Sequence, residues 1–213
     1  MRIGIIGAGD VGSTLAQHFI EAGHDVAIAN SRDPDTLDPL IDRLNGVATV
    51  RRAQAATAAD AASFGDVVVL AVPFGAYAQI PAAECVGKTI IDATNYYPQR
   101  DGHIAEIDDG SVTSSEMIAD RLRGAHVVKA FNAMTAEHLR DYARHGGTMD
   151  RYGIPVSGDD NDAKRTVLDL VNDSGFDPVD AGPLATGGRK HQPGSTAYLA
   201  DVGGRKLGEL LSA

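Results

Sequence analysis

Arg2-Ile3-Gly4-Ile5-Ile6-Gly7-Ala8-Gly9-Asp10-Val11-Gly12 opens the chain with a short apolar run that passes directly into glycines at 7, 9 and 12. The run reads as a buried strand. Beyond the glycines the spacing turns helical, because Val11, Leu15, Phe19 and Ala22 share one face, Gln17 and Glu21 face elsewhere, and Gly23 can end the helix. A second apolar run at residues 25–29 closes a strand–helix–strand unit. Gly-x-Gly-x-x-Gly between a strand and a helix is the turn of dinucleotide-binding folds. Gly7 permits the tight turn, Gly9 lets backbone approach a pyrophosphate, and Gly12 lets helix pack on strand, while amides of Asp10 and Val11 at the helix start face the anion. The Asp10 carboxylate either caps the helix or points to solvent. The plain alternative is a glycine-rich turn that holds no ligand.

The same alternation continues, with further strands read at residues 47–50, 66–72, 89–92, 126–131, 153–157 and 178–180, the first and last of these having the weakest patterns. Residues 53–62 are alanine-rich and read as helix. Asp159 or Asp160 caps a helix whose apolar face is Val167, Leu168 and Val171. Residues 182–204 carry several Gly and two Pro and read as a long loop before a short last helix around 207–211. The expected fold is α/β: a Rossmann-type, doubly wound, mainly parallel sheet with a small C-terminal extension. Residues 1–150 form the dinucleotide-binding domain and residues 151–213 an αβ extension packed on it.

With 213 residues, 43% hydrophobic and 23% charged, the chain suits one ordinary folded domain. A net charge of -10 argues against nucleic acid as a partner, so an anionic ligand must be gripped by a helix start or individual arginines. Cys85 is the only cysteine, and there is neither an export signal nor an apolar stretch of membrane length. A cytoplasmic protein with no membrane contact is expected.

The end of the second strand selects the cofactor. An NAD site has Asp or Glu there to accept hydrogen bonds from the ribose 2'-hydroxyl. Here the sequence is Asn30-Ser31-Arg32, an amide, a hydroxyl and a guanidinium that suit a 2'-phosphate, which points to NADP(H). The alternative for Arg32 is a surface pair with Asp33 or Asp35. No nucleophile elbow, metal-ligand spacing or triad appears, the seven histidines are scattered, and Cys85 has no basic neighbour. No metal and no catalytic acid or base are expected, so hydride transfer would be positional. Too little chain follows the sixth strand for a helical substrate domain. The second reactant is therefore placed in an open cleft at the carboxyl ends of the strands, where a flat redox cofactor such as FMN or FAD fits. Val72, Pro73 and Phe74, Thr94 and Asn95, and Asn132 and Met134 line that cleft. Val72, Pro73 and Asn95 are read on the side of the nicotinamide cofactor, and Phe74, Asn132 and Met134 on that of the second ligand. Lys129 is either an anion contact or a buried lysine paired with a carboxylate.

Taken together, the glycine turn, Asn30-Ser31-Arg32, Val127-Val128-Lys129-Ala130-Phe131-Asn132, Val156-Ser157-Gly158-Asp159-Asp160 and Asp180-Ala181-Gly182-Pro183-Leu184 resemble the family of coenzyme F-420 (F420)-dependent NADP oxidoreductases. The resemblance spans nearly the whole chain and implies hydride exchange between NADP(H) and a deazaflavin. It implies that Ser31 and Arg32 hold the 2'-phosphate and that Asn132 and Met134 lie near the two rings. Residues 185–195, polar and Gly-rich, depart from the apolar helical tail of the archaeal members. The same domain type occurs as the cytosolic part of membrane ferric reductases, where the acceptor is a flavin. The readings that stand beside the F420- or flavin-linked reductase are a ferric reductase and a non-catalytic NADP(H)-binding sensor or regulatory module. Carbonyl or imine reduction would need a proton donor that the sequence does not reveal. A homodimer is a further expectation, from the exposed strand edge and last helix.

Overall fold

The computed structural model describes residues 1–144 and 151–212. Strand β1, Arg2–Ile6, buries Ile3, Ile5 and Ile6, so both of its faces must be covered. The remaining strands are β2 (Asp25–Ala29), β3 (Ala53–Ala55), β4 (Val67–Leu70), β5 (Thr89–Asp92), β6 (His126–Lys129), β7 (Gly153–Gly158) and β8 (Asp177–Gly182). They lie in one sheet in the order β3-β2-β1-β4-β5-β6-β7-β8. Pairing is parallel from β3 through to β6, antiparallel between β6 and β7, and parallel again between β7 and β8.

Alternate side chains of each strand point to opposite faces. On one face Ile3, Ile5, Val26, Val67 and Val128 meet Leu15 and Phe19 of the Asp10–Glu21 helix and Val167 and Val171 of the Asn161–Asp173 helix. On the other, Ile6, Val68, Leu70 and Ile90 meet Phe74, Ile118, Leu122 and Leu184. Asp160 is the residue that caps the Asn161–Asp173 helix, accepting from the amides of Asp162 and Ala163, and Asp159 instead accepts from the Leu184 amide. Among the described residues no helix is long and apolar enough to cross a membrane.

Strands β1, β2 and β5 fall on the residues read from the sequence. The third does not. Residues 47–50 follow the Asp38–Gly46 helix with Val47 43% and Val50 53% exposed, and the strand begins at Ala53. Asn45 sets that start, because its Oδ1 accepts from the amides of Arg52 and Ala53 and its Nδ2 donates to the Ala53 carbonyl. The alanine-rich stretch therefore splits into β3 and a helix, Ala58–Phe64, capped by Thr57. Pairing with β2 overrides helix propensity at 53–55. Strands β4 and β6 are shorter than expected, and Phe131, just past β6, turns the chain with φ +62°. The expected loop at 182–204 contains a helix, Leu184–Lys190, and the last helix spans Gly204–Ser212. The boundary expected at residue 150 lies outside the described residues, and β7 and β8 continue the same sheet.

The Lys88 ammonium, placed just before β5, donates to the carbonyls of Ala62 at 2.5 Å, Ser63 at 2.9 Å and Gly65 at 2.8 Å, and so closes the carboxyl end of the Ala58–Phe64 helix. Lys88→Met is expected to lower stability by about 1–3 kcal/mol, because charge-assisted bonds to helix-end carbonyls are lost. Urea unfolding of the two proteins would measure this.

Candidate functional site

Strand order reverses at β1, which continues to β2 on one side and pairs with β4 on the other. Such a switch point leaves a crevice at the carboxyl ends of the strands. The glycine turn sits on it. Gly7 has φ +115°, and its amide donates to the Ala29 carbonyl at 2.8 Å. A Cβ at Gly7 would lie 2.2 Å from the Ala71 oxygen, and one at Gly12 would lie 1.8 Å from the Gly7 oxygen. A Cβ at Gly9 would meet nothing within 4 Å. Two of the glycines thus allow backbone to touch backbone, and the middle one leaves the approach to the helix start open. Gly9 is the N-cap, with no side-chain cap, so the first amides of the Asp10–Glu21 helix lack intrahelical acceptors. Asp10 is exposed and does not cap, and Val11 is half-buried against the core.

Beside this turn, the Asn30 amide group is committed to its own loop: Nδ2 donates to Thr36 Oγ1 at 2.9 Å and Oδ1 accepts from the Arg32 amide at 2.8 Å. Ser31 and Arg32 are exposed. Among the described residues no carboxylate lies within ion-pair distance of Arg32, and Asp33 instead caps the Pro34–Leu37 turn. A cavity of about 130 Å³ joins Gly7, Asn30, Ser31 and Val72 to Ala58, Ala76, Gln79 and Ile80. The last four carry no motif. What could have found them is position alone, since they lie past the carboxyl ends of β3 and β4. A larger hollow of about 600 Å³ lies at the opposite, amino ends of β1 to β3, where Arg2 pairs with Asp66 and Arg52 with Asp25. It contains no glycine turn, and two of its arginines are already paired within the chain.

The structure separates the second group of expected residues. Val72 is half-buried and Pro73 exposed at the crevice, but Phe74 is fully buried, stacked on Tyr77 with ring centres 4.9 Å apart and edge-on to Tyr96. The reading of Phe74 as a ligand contact is corrected accordingly: its ring fills the core beneath the cleft. Asn132, Met134 and Thr94 are also buried, and Asn95 is half-buried. Lys129 pairs with Asp92 at 3.4 Å and donates to the Thr94 carbonyl at 3.1 Å, both charged groups being buried. Asp92 also accepts from the Thr94 amide and hydroxyl and from the Ser115 hydroxyl. Of its two sequence readings, Lys129 takes the buried pair.

Asn95 and Asn132 lock together. Asn95 Nδ2 donates to the Asn132 carbonyl at 2.8 Å, and Asn132 Nδ2 donates to Asn95 Oδ1 at 3.0 Å and to the His191 carbonyl at 2.8 Å. With its amide hydrogens spent, Asn132 Oδ1 must accept from His191 Nδ1–H at 2.9 Å. His191 Nε2 then accepts from the Ser157 hydroxyl at 2.8 Å. One neutral tautomer satisfies every partner. His191 escaped sequence reasoning because nothing distinguishes it from the other histidines. Burial, with the nearby Lys129 charge, holds its pKa well below the usual histidine value. Burial likewise pushes the Cys85 thiol up to about 11, so it is no nucleophile at neutral pH. Among the described residues no cluster of ligating side chains suits a metal ion.

The depressed pKa of His191 has a definite sign for stability. Unfolded chain takes up this proton below about pH 6.5, whereas the folded site resists it, so stability present above that pH is lost as pH falls. The urea midpoint of the wild type is expected to drop between about pH 7.5 and 5, and His191→Asn to flatten that drop.

The family model for NADP oxidoreductase coenzyme F420-dependent matches residues 2–96. A hypothetical protein of known structure from Sinorhizobium meliloti is 33% identical, with TM-score 0.80, covering 95% of this chain and 94% of that one. An Arthrobacter sp. FB24 protein assigned as an F420-dependent NADP reductase is 28% identical, with TM-score 0.69, over 86% of each chain. Metalloreductase STEAP3 of Rattus norvegicus is 28% identical across 87% of this chain but only 34% of its own length. A protein of Escherichia coli, YjhV, matches 26% of this chain and 39% of its own length at 40% identity. The chain thus spans little more than a third of the curated relatives it matches. A reductive aminase from Aspergillus terreus shares the fold at 20% identity and TM-score 0.60, over 94% of this chain and 58% of its own. Through residues 2–96 the chain matches the coenzyme F420-dependent NADP oxidoreductase family, and along its length it shares the fold and a third of its residues with the Sinorhizobium meliloti protein.

Proposed function

We propose that this chain binds NADP(H) across the β1/β4 crevice and transfers a hydride between its nicotinamide and a deazaflavin or flavin held at the strand ends. One observation carries the reading: an open helix start at Gly9 lies beside an exposed Arg32 that no described carboxylate pairs, at a strand end where Asn30 stands in place of an acidic residue. The fit is chemical as well as spatial. The Asp10 and Val11 amides would receive the pyrophosphate, and Ser31 and Arg32 the 2'-phosphate. Asn30 would act by shaping that loop, and Ala76, Gln79 and Ile80 would border the adenosine.

The nicotinamide, when bound, supplies the hydride. This chain's part is to orient and to exclude water. Val72 and Pro73 would flank the ring, and the locked Asn95–Asn132 pair would set the far wall of the cleft. Asn132 and Met134 would act from below that wall, since both are buried. On this reading residues 1–150 carry the nucleotide and residues 151–213 pack on as an extension that completes the cleft. The Arthrobacter relative, assigned as F420-dependent, and the reductive aminase, solved with NADPH, support the choice of partners.

Arg32→Ala is expected to weaken NADPH binding by about tenfold or more and NADH binding little, from the loss of a charge-assisted contact with the 2'-phosphate. Equal losses for the two nucleotides in a fluorescence titration would remove the NADP assignment. Anaerobic single-turnover mixing with F420, FMN, FAD and ferric citrate then tests the acceptor. NADPH absorbance that stays unchanged with all four would leave a binding module without catalysis.

A further inference from the structure

The polar, glycine-rich segment after β8 is the part of the sequence that the nucleotide site does not use, and the structure folds it into the strand ends. The Leu184–Lys190 helix lies close against β7: a Cβ at Gly187 would be 2.5 Å from the Ala181 oxygen and 2.6 Å from Ser157 Oγ. That contact delivers His191, fully buried, between Ser157 and Asn132. From there the chain is tied twice more, by the Tyr198 hydroxyl to the Tyr97 hydroxyl and by the Leu199 amide to the Ala133 carbonyl at 2.9 Å. Leu199 takes φ +55° at that last tie, a conformation costly for a branched residue and kept only where the surroundings impose it. The loops after β5 and β6, which carry Asn95 and Asn132, are thus pinned to each other and to one imidazole.

We propose that His191 is a positioning residue, which through Asn132 and Asn95 holds the loops after β5 and β6 in the geometry that seats the second ligand. The inference rests on the hydride-transfer reading of the crevice. His191 reaches no ligand itself; its effect passes through two amide groups. Asn132 has no amide hydrogen left to rearrange, because its Nδ2 donates to both Asn95 Oδ1 and the His191 carbonyl, and Asn95 is tied back through its own Nδ2 to the Asn132 carbonyl. An aliphatic side chain at 191 would strand Asn132 Oδ1 and the Ser157 hydroxyl in a buried site and free the two loops to move apart.

The test uses the full chain with His191→Leu, His191→Asn and Ser157→Ala. Asn at 191 keeps a donor where Nδ1 lies and loses only the Ser157 contact. Hydrogen exchange over residues 93–99 and 130–134 is the readout that needs no acceptor, and NADPH oxidation by F420 and by FMN is the second. For His191→Leu we expect faster exchange in both loops, NADPH affinity within about twofold of wild type, and transfer slowed about tenfold or more, as for misplaced reactants. His191→Asn should recover most of the rate and the protection. Unchanged exchange in the two loops, or equal rate loss in the Leu and Asn variants with NADPH still bound, would overturn the inference. Should His191→Leu fail to fold, a further variant, His191→Gln, which can reach Ser157 but cannot donate to Asn132 Oδ1, is expected to loosen the same loops while Ser157→Ala keeps most of their protection, and unchanged exchange in His191→Gln overturns the inference equally. A wild-type chain that binds no NADPH sinks the cofactor reading instead, a failure visible before any substitution is made.

Discussion

The carboxyl edge of this sheet depends on backbone packed against backbone at its centre. Between β1 and β4 the chain has no room for a methyl group at Gly7 or Gly12, and the helix that starts at Asp10 is brought down onto the strand because neither residue has one. The rest of the cofactor crevice depends on that approach. The helix start points at the switch point, the end of β2 is tied to the turn through the Gly7 amide, and Ser31 and Arg32 are carried to the same rim. A strand pair of ordinary side chains would separate these elements and leave the amides without a common focus.

A second constraint is polar and lies under β5, β6 and β7. Asp92 and Lys129 are both buried, and a charge there is tolerable only with partners on every side. Thr94 and Ser115 supply them for the carboxylate, and the Thr94 carbonyl helps the ammonium. The Asn95–Asn132–His191–Ser157 chain of hydrogen bonds runs beside this pair, over the same strand ends. Hydrophobic packing supplies most of the fold's stability, but it is the polar seam that gives these loops a single arrangement.

Much of this is legible in the residues themselves, for physical reasons. Strands β1, β2 and β5 carry apolar residues on both faces, and β1 and β2 run directly into turn residues, so their bounds are sharp in the sequence. The third strand is misplaced by sequence reasoning because alanine favours helix, and only Asn45, acting from a different element, sets where pairing starts. Asn30, Ser31 and Arg32 can be picked out from the missing carboxylate, yet not the inward turn of the Asn30 amide, which depends on Thr36. Phe74 shows the limit of reading by position: an aromatic residue past a strand end fits a cleft or a core equally well, and Tyr77 and Tyr96 decide for the core. The helix at 184–190 is hidden by Gly187 and Gly188, which weaken helix propensity, although close packing against Ala181 and Ser157 requires the first of them.

Because β7 runs against β6, and β8 runs with β7, the chain leaves β8 heading away from the cofactor crevice. The seven-residue helix after it must turn the chain back, and it works as a ruler. Each residue of helix advances the chain by about 1.5 Å and rotates the next side chain by about 100°. Insertion or deletion, which surface loops absorb freely, is therefore closed to this stretch: one residue more or fewer would aim the imidazole away from Asn132.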